Sequence, residues 1–224
     1  PVDPGFDPVP PIARAFKRSA ALRAALRRIA AHGRKSQKIN QSSATAVAVS
    51  FLLPTGWEWA SMRQVADFIQ IGPFGSLLHK RDYISDGTPI VNPKNIVGGR
   101  LEPTDRKTVT GETIERLRKY SLRAGDVVLG RRGEMVKCAV VTETETGWLC
   151  GTGSLFFRFS ADVFPGYVAR FLRSPLAREA LLKSSVGATM NNLSQKALNT
   201  LAIPLPLLAE QHRIVAKVDE LLAM

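Results

Sequence analysis

The chain has 224 residues, 45% of them hydrophobic and 22% charged, with 17 Gly and 14 Pro. That is enough apolar material for one well-cored domain with an appendage, and it excludes collagen-like, disulfide-dense and wholly disordered classes. Its 31 Lys+Arg against 19 Asp+Glu give +12, a field that favours polyanionic partners, nucleic acid first.

The charge is unevenly placed, with nine Lys/Arg and two Asp in residues 1–50 and 22 against 17 in the rest. A moderately basic main domain suits a few well-placed phosphate contacts better than a uniformly cationic coat; a solvated basic surface without a partner is the plainer alternative. Residues 1–11 contain five prolines and read as an extended leader. In residues 12–31, Ile12, Phe16, Leu22, Leu26 and Ile29 recur mostly every three or four positions among arginines, which predicts a basic amphipathic helix ending near Gly33. An organellar transit peptide has the same Arg-rich, acid-poor texture. Residues 34–45 are polar and read as a linker. The apolar run 44–53 is interrupted by Thr45 and Ser50 and falls short of the ~20 residues a bilayer-spanning helix needs.

After Pro54-Thr55-Gly56 the chain becomes short segments broken by Gly, Pro and Asp. Gly98-Gly99 between apolar runs signals a hairpin. Residues 112–119 read as one short helix, and residues 127–130, 136–142, 148–150 and 155–159 as strands of a twisted, mostly antiparallel sheet. Cys138 and Cys150, the only cysteines, lack a CxxC pair or clustered His, so they are expected to be reduced apolar residues on neighbouring strands of a cytoplasmic protein. Pro165 and Pro175 sit where helices begin, and Ser194 can cap a helix over residues 195–200. In the final segment Leu207, Gln211, Ile214, Val218 and Leu221 follow a 4-3-4-3 spacing, an a/d seam that Leu208, Val215 and Leu222 widen. Two heptads do not hold a coiled coil alone. Either a partner helix or the chain's own domain covers this face, and the partner is favoured by the width of the face and the end of the chain.

Enzymatic constellations are missing. There is no Walker loop, no Asn/Asp-Pro-Pro-aromatic loop around Asn92-Pro93-Lys94-Asn95, and no nuclease spacing, since Lys137 stands three residues after Glu134 rather than two. His32, His79 and His212 are scattered without a partner at catalytic spacing. Gly72-Pro73-Phe74-Gly75-Ser76 and Gly151-Thr152-Gly153-Ser154 speak only for turns. The expectation is a chain with no catalytic residues, no metal ligands and no cofactor of its own.

Several segments, in this order, resemble one family, the specificity subunits of type I restriction-modification systems. They are Leu53-Pro54-Thr55-Gly56-Trp57-Glu58-Trp59, Gly72-Pro73-Phe74-Gly75-Ser76, Pro89-Ile90-Val91-Asn92-Pro93-Lys94-Asn95-Ile96, Gly125-Asp126-Val127-Val128-Leu129, Asn192-Leu193, and the run from Ile203-Pro204-Leu205-Pro206 through Glu210-Gln211-His212-Arg213-Ile214. The resemblance covers residues 53–224. It implies an α+β fold: a mostly antiparallel twisted sheet domain with short helices that recognises DNA, then a long C-terminal coiled-coil spacer helix, with the basic helix N-terminal to both. It also implies double-stranded DNA, methyltransferase (modification) subunits and a restriction/translocase subunit as partners, with S-adenosylmethionine, ATP and Mg²⁺ bound in those partner subunits. A full member carries two such units, so this chain is expected to be a half-length subunit that self-dimerises through its C-terminal helix, or a piece of a split or truncated gene.

The expected division is residues 1–50 as leader, basic helix and linker, 51–203 as recognition domain, and 204–224 as spacer and dimerisation helix. Base reading needs donors and acceptors on loops at a rigid sheet edge, Arg for guanine and Asn or Gln for adenine. The candidates are Ser76, His79, Lys80 and Arg81; Asn92, Lys94 and Asn95; Arg131 and Arg132; and Thr189, Asn191 and Asn192. The lysines suit phosphates. Asn92 and Asn95 serve equally in an Asx turn beside Pro93, Arg131-Arg132 in a solvated turn, and residues 189–192 in a helix connection. The helix-pairing candidates are Leu207, Gln211, Ile214, Val218, Leu221 and Leu222. The rival reading is a non-enzymatic scaffold whose basic N-terminal helix binds RNA or an acidic surface.

Overall fold

Leu155-Phe156-Phe157 and Val127-Val128-Leu129 are apolar without alternation, the pattern of strands covered on both faces, and all six side chains are fully buried. They are the centre of a computed structural model that describes residues 52–103, 107–132, 136–183 and 193–224. The expected leader, basic helix and linker, and Thr189, Asn191 and Asn192, lie outside the described residues.

In chain order the elements begin with β1 (Glu58–Ser61), α1 (Met62–Val65), β2 (Ala66–Ile71), β3 (Tyr83–Ile84), β4 (Thr88–Val91), β5 (Ile96–Val97), β6 (Arg100–Leu101) and β7 (Thr108–Val109). Then come α2 (Gly111–Arg116), β8 (Val127–Gly130), β9 (Cys138–Val140), β10 (Leu149–Cys150) and β11 (Ser154–Phe159). The chain closes with α3 (Pro165–Leu172), α4 (Pro175–Lys183), α5 (Gln195–Thr200), β12 (Ala202–Leu205) and α6 (Leu208–Leu222). Both prolines start helices as expected, Ser194 caps α5 by accepting from the Ala197 N–H at 3.1 Å, and Gly98 and Gly99, at φ +57° and +84°, turn the β5–β6 hairpin.

The fold is a mixed α/β one built in layers. One four-stranded sheet has the order β2-β11-β8-β9, entirely antiparallel; the other runs β10-β4-β7-β3, with β10 parallel to β4. Alternation along the central strands distributes the core. Leu155, Phe157, Val127 and Leu129 face a cluster completed by Val168 and Leu172 of α3 and Leu198 of α5, while Phe156 and Val128 face Val91, Ile96, Leu122 and Cys150 between the sheets. A third cluster packs Ile90, Val109 and Leu149 against Leu117 and Tyr120. Each such fully buried large side chain contributes on the order of 2–3 kcal/mol of apolar burial.

Three expectations are corrected. Cys138 and Cys150 are buried free thiols, but they lie in different sheets, one on each side of the central core. The expected boundary at 203/204 falls inside β12, which pairs antiparallel with β1, Trp59 opposite Pro204 and Ala60 opposite Ile203; the last strand belongs to the sheet domain. The C-terminal helix is 15 residues long and touches its own domain as far as Asp219. Leu207 sits outside it as the N-cap. Gln211, 1% exposed, accepts from the Phe164 N–H at 2.8 Å and donates to the Pro206 carbonyl at 3.0 Å, and Ile214 and Val215 pack on the main core. Asp219 pairs with Arg170 of α3. Gln211 and Ile214 are thus committed within the domain, because a buried carboxamide must find its partners nearby. Leu221 and Leu222, 58% and 70% exposed, are not.

Candidate nucleic-acid interface

The turn Gly151-Thr152-Gly153-Ser154 ties the candidate loops together at one end of the sheets. The Gly151 N–H donates to the Val91 carbonyl at 2.8 Å, the Gly72 N–H to the Ser154 carbonyl at 3.0 Å, the Arg131 N–H to the Gly153 carbonyl at 2.9 Å, and the Leu193 N–H to the Arg131 carbonyl at 3.0 Å. The loops entered from β2, β4 and β8, and the segment leading into α5, therefore share one backbone scaffold. Glycine is required by proximity: a Cβ at Gly72 would collide with the Gly151 carbonyl, and one at Gly151 with the Asn92 carboxamide.

In the first loop Ser76, His79, Lys80 and Arg81 are all exposed. Asp82 holds the far end of this loop, accepting from the His79 N–H at 2.6 Å and pairing with Arg116 at 3.2 Å. That backbone donor, helped by the Arg116 charge, holds the Asp82 carboxyl below the usual range although partial burial opposes it. Phe74, 61% exposed, sits on the same loop, and its only signal in the sequence is an aromatic residue between Pro73 and Gly75.

The second loop separates its candidates. Lys94 is exposed and Asn92 half-buried. Asn95 is 2% exposed, its Oδ1 accepting from the Asn92 N–H at 3.0 Å and its Nδ2 donating to the Glu102 carbonyl at 2.8 Å. Asn95 is corrected from a base-reading candidate to the residue that shapes the loop: its carboxamide reaches back three residues to the Asn92 N–H, as in a capping box, and across to the Glu102 carbonyl, so both its polar atoms are committed.

In the third loop Arg132 is exposed and Arg131 half-buried. The Arg131 Nε is buried with no hydrogen-bond partner among the described residues. Burial first, and then the like charge of Arg132, press its guanidinium below its usual pKa. A buried Nε–H lacking an acceptor gains from one supplied by a ligand.

The opposite end of β11 has a different character. Arg158 there binds the buried Asp126, and a cavity of about 430 Å³ opens between that pair, Phe164 and His212, whose ring stacks on Phe164 at 3.9 Å. None of the candidate loop residues lines it. Among the described residues no three His, Cys, Asp or Glu are grouped to hold a metal ion, and no helix is long and apolar enough to cross a membrane.

The pattern of the type I restriction modification DNA specificity domain matches residues 54–223. The chain is 30% identical over 183 residues to the StySPI specificity subunit of Salmonella potsdam and to the EcoKI specificity subunit of Escherichia coli (strain K12), each match covering 76% of this chain and 37% of the relative. The chain thus spans little more than a third of the length of these curated relatives. Among solved structures it is similar to a chain from the structural study of type I R-M complex assembly (TM-score 0.61, 23% identity, 96% of this chain and 53% of that one). It is also similar to the HsdS subunit from Thermoanaerobacter tengcongensis (TM-score 0.58, 20% identity, 93% and 48%). At those identities the structural likeness speaks for the fold.

Proposed function

Because the chain belongs to the type I restriction modification DNA specificity family, we propose that its tied loops read the base sequence of a DNA duplex within a restriction-modification complex. The observation that carries this is the convergence of separately encoded polar loops on the turn at residues 151–154. Base discrimination requires donors and acceptors held at fixed offsets, and a shared backbone scaffold supplies them. Arg131 is the leading base reader, with a fork suited to the acceptors of guanine. Lys80, Arg81, Lys94 and Arg132 hold phosphates, which fix orientation without carrying sequence.

The chain performs no chemistry in this reading. Methyl transfer with S-adenosylmethionine, and cleavage with ATP and Mg²⁺, fall to modification and restriction/translocase subunits that the bound chain directs to its site, in the cytoplasm. The exposed end of α6, with Leu221 and Leu222, meets a second helix of another recognition unit, in a second copy or a companion chain. A pair of recognition domains at fixed separation then defines a bipartite site, and two identical copies define an inverted repeat.

Selection from a randomised duplex pool by the chain with its modification subunits tests the reading. Enrichment of one short sequence is expected; a recovered pool no richer in any sequence than the input overturns it.

A further inference from the structure

Beside the tied loops lies a cleft of about 300 Å³ with walls from the β5–β6 hairpin, the start of β9 and the corner between α3 and α4. Its charged lining residues among those described are Lys137, Arg173 and Arg178, with no carboxylate. Neither Arg173 nor Arg178 pairs with an acidic side chain among the described residues, unlike Arg116, Arg158, Arg170 and Lys217. We propose that Arg173 and Arg178, with the Gly98-Gly99 turn as the opposing wall, grip a backbone phosphate of the duplex. The inference rests on the DNA-reading function and adds to it a positioning contact that the sequence motifs did not suggest.

Arg173 is prepared for this. Its Nε donates to the Ala169 carbonyl at 3.2 Å, and its Nη1 lies so close over Gly99 that a Cβ there would land on it. A guanidinium already held in one place loses little further freedom on binding an anion, and its remaining N–H groups match phosphate oxygens. Arg178 is exposed on α4 and has no ion-pair partner among the described residues.

The location ties the cleft to reading. Cys138, in its wall, pairs with Leu129, and the Gly130 N–H donates to the Lys137 carbonyl at 2.8 Å, so the cleft begins one residue from Arg131. On the other side the bond from Asn95 to Glu102 couples the loop bearing Lys94 to the hairpin. A phosphate held between the two loops would fix the duplex in register with both.

Anisotropy titrations of the enriched duplex and of an unrelated one, with wild type, Arg178→Ala and Arg173→Ala, test the proposal. Both variants should weaken the two duplexes by the same factor. Each should flatten the slope of log K against log salt by about 0.9, so that the wild-type advantage shrinks about 3.5-fold between roughly 50 and 200 mM salt. Arg178 is exposed, so its variant should melt with wild type and report binding alone. Unchanged slopes with duplex binding intact overturn the cleft and leave the DNA-reading function standing, as does binding of inorganic phosphate that Arg178→Ala abolishes without altering the slope. Loss confined to the enriched duplex makes these arginines base readers and also overturns it. A wild-type chain that binds neither duplex overturns both proposals.

Discussion

Arg158 closes on Asp126 with two charge-assisted hydrogen bonds, Nε to Oδ1 at 2.8 Å and Nη2 to Oδ2 at 2.7 Å, while Oδ2 also accepts from the Arg123 N–H at 2.8 Å. The Asp126 carboxylate is 1% exposed, and the guanidinium lies over the Phe156 ring at 5.3 Å. Asp126→Ala strands a guanidinium that stays 26% exposed and leaves the Arg123 N–H without its acceptor, so it should cost about 1–3 kcal/mol of stability in urea unfolding. The pair stands at the far end of β11 from the 151–154 turn, so the folded variant should keep the wild-type base preference. An unchanged unfolding midpoint would contradict the role given to the pair.

Asn95 and Lys94 are neighbours with opposite fates. Asn95→Ala leaves the Asn92 N–H and the Glu102 carbonyl without their bonds and should lower stability by about 1–3 kcal/mol. Lys94→Ala should leave thermal unfolding unchanged and weaken all duplexes alike. Equal stability of the two variants would show that the carboxamide does not shape the loop.

Gly151→Ala drives a methyl group into the Asn92 carboxamide, an overpacking that should cost about 1–3 kcal/mol. Since the same turn anchors the loop of Arg131, selectivity between duplexes should fall further than overall affinity. A variant that binds with undiminished selectivity would show that the loops are positioned independently of the turn.

Burial pushes the Cys138 thiol up to about 12 and raises Cys150 as well, its effect on Cys150 reinforced by Asp126. Both thiols should resist iodoacetamide at neutral pH in the native chain and react once it is unfolded. A thiol whose pKa is higher in the folded state stabilises fully below its unfolded value of about 8.5 and loses that contribution as pH rises toward the folded value. Stability should therefore fall above about pH 8.5, by roughly 1.4 kcal/mol per pH unit for each thiol, and Cys138→Ala should shallow the decline. Rapid native alkylation would contradict the burial.

Local punctuation was the legible part of the sequence. Pro165, Pro175, Ser194 and Gly98-Gly99 act through backbone rules that need no distant partner, and each does what its neighbours in sequence dictate. The failures are all long-range. The seam spacing of Gln211 and Ile214 is the same whether a partner helix or the chain's own α3 receives it, and only the Phe164 N–H and the Pro206 carbonyl decide between them. Cys138 and Cys150 stand on short strands close in sequence, yet β10 joins β4 in the second sheet rather than β9. Asn92 and Asn95 look alike in sequence, and only burial and two hydrogen bonds to distant and local backbone set Asn95 apart. Gly151-Thr152-Gly153-Ser154 is an ordinary turn until the loops that bond to it are known, and Arg173 and Arg178 belong to no motif.

Arg131→Ala, titrated beside wild type against the selected duplex and a panel carrying each single base substitution, tests the reading head most directly. Discrimination should be lost at one base position by about 1–3 kcal/mol and be preserved at the others. A uniform loss across the panel, or none at all, would contradict the assignment of base reading to the loops tied by the 151–154 turn.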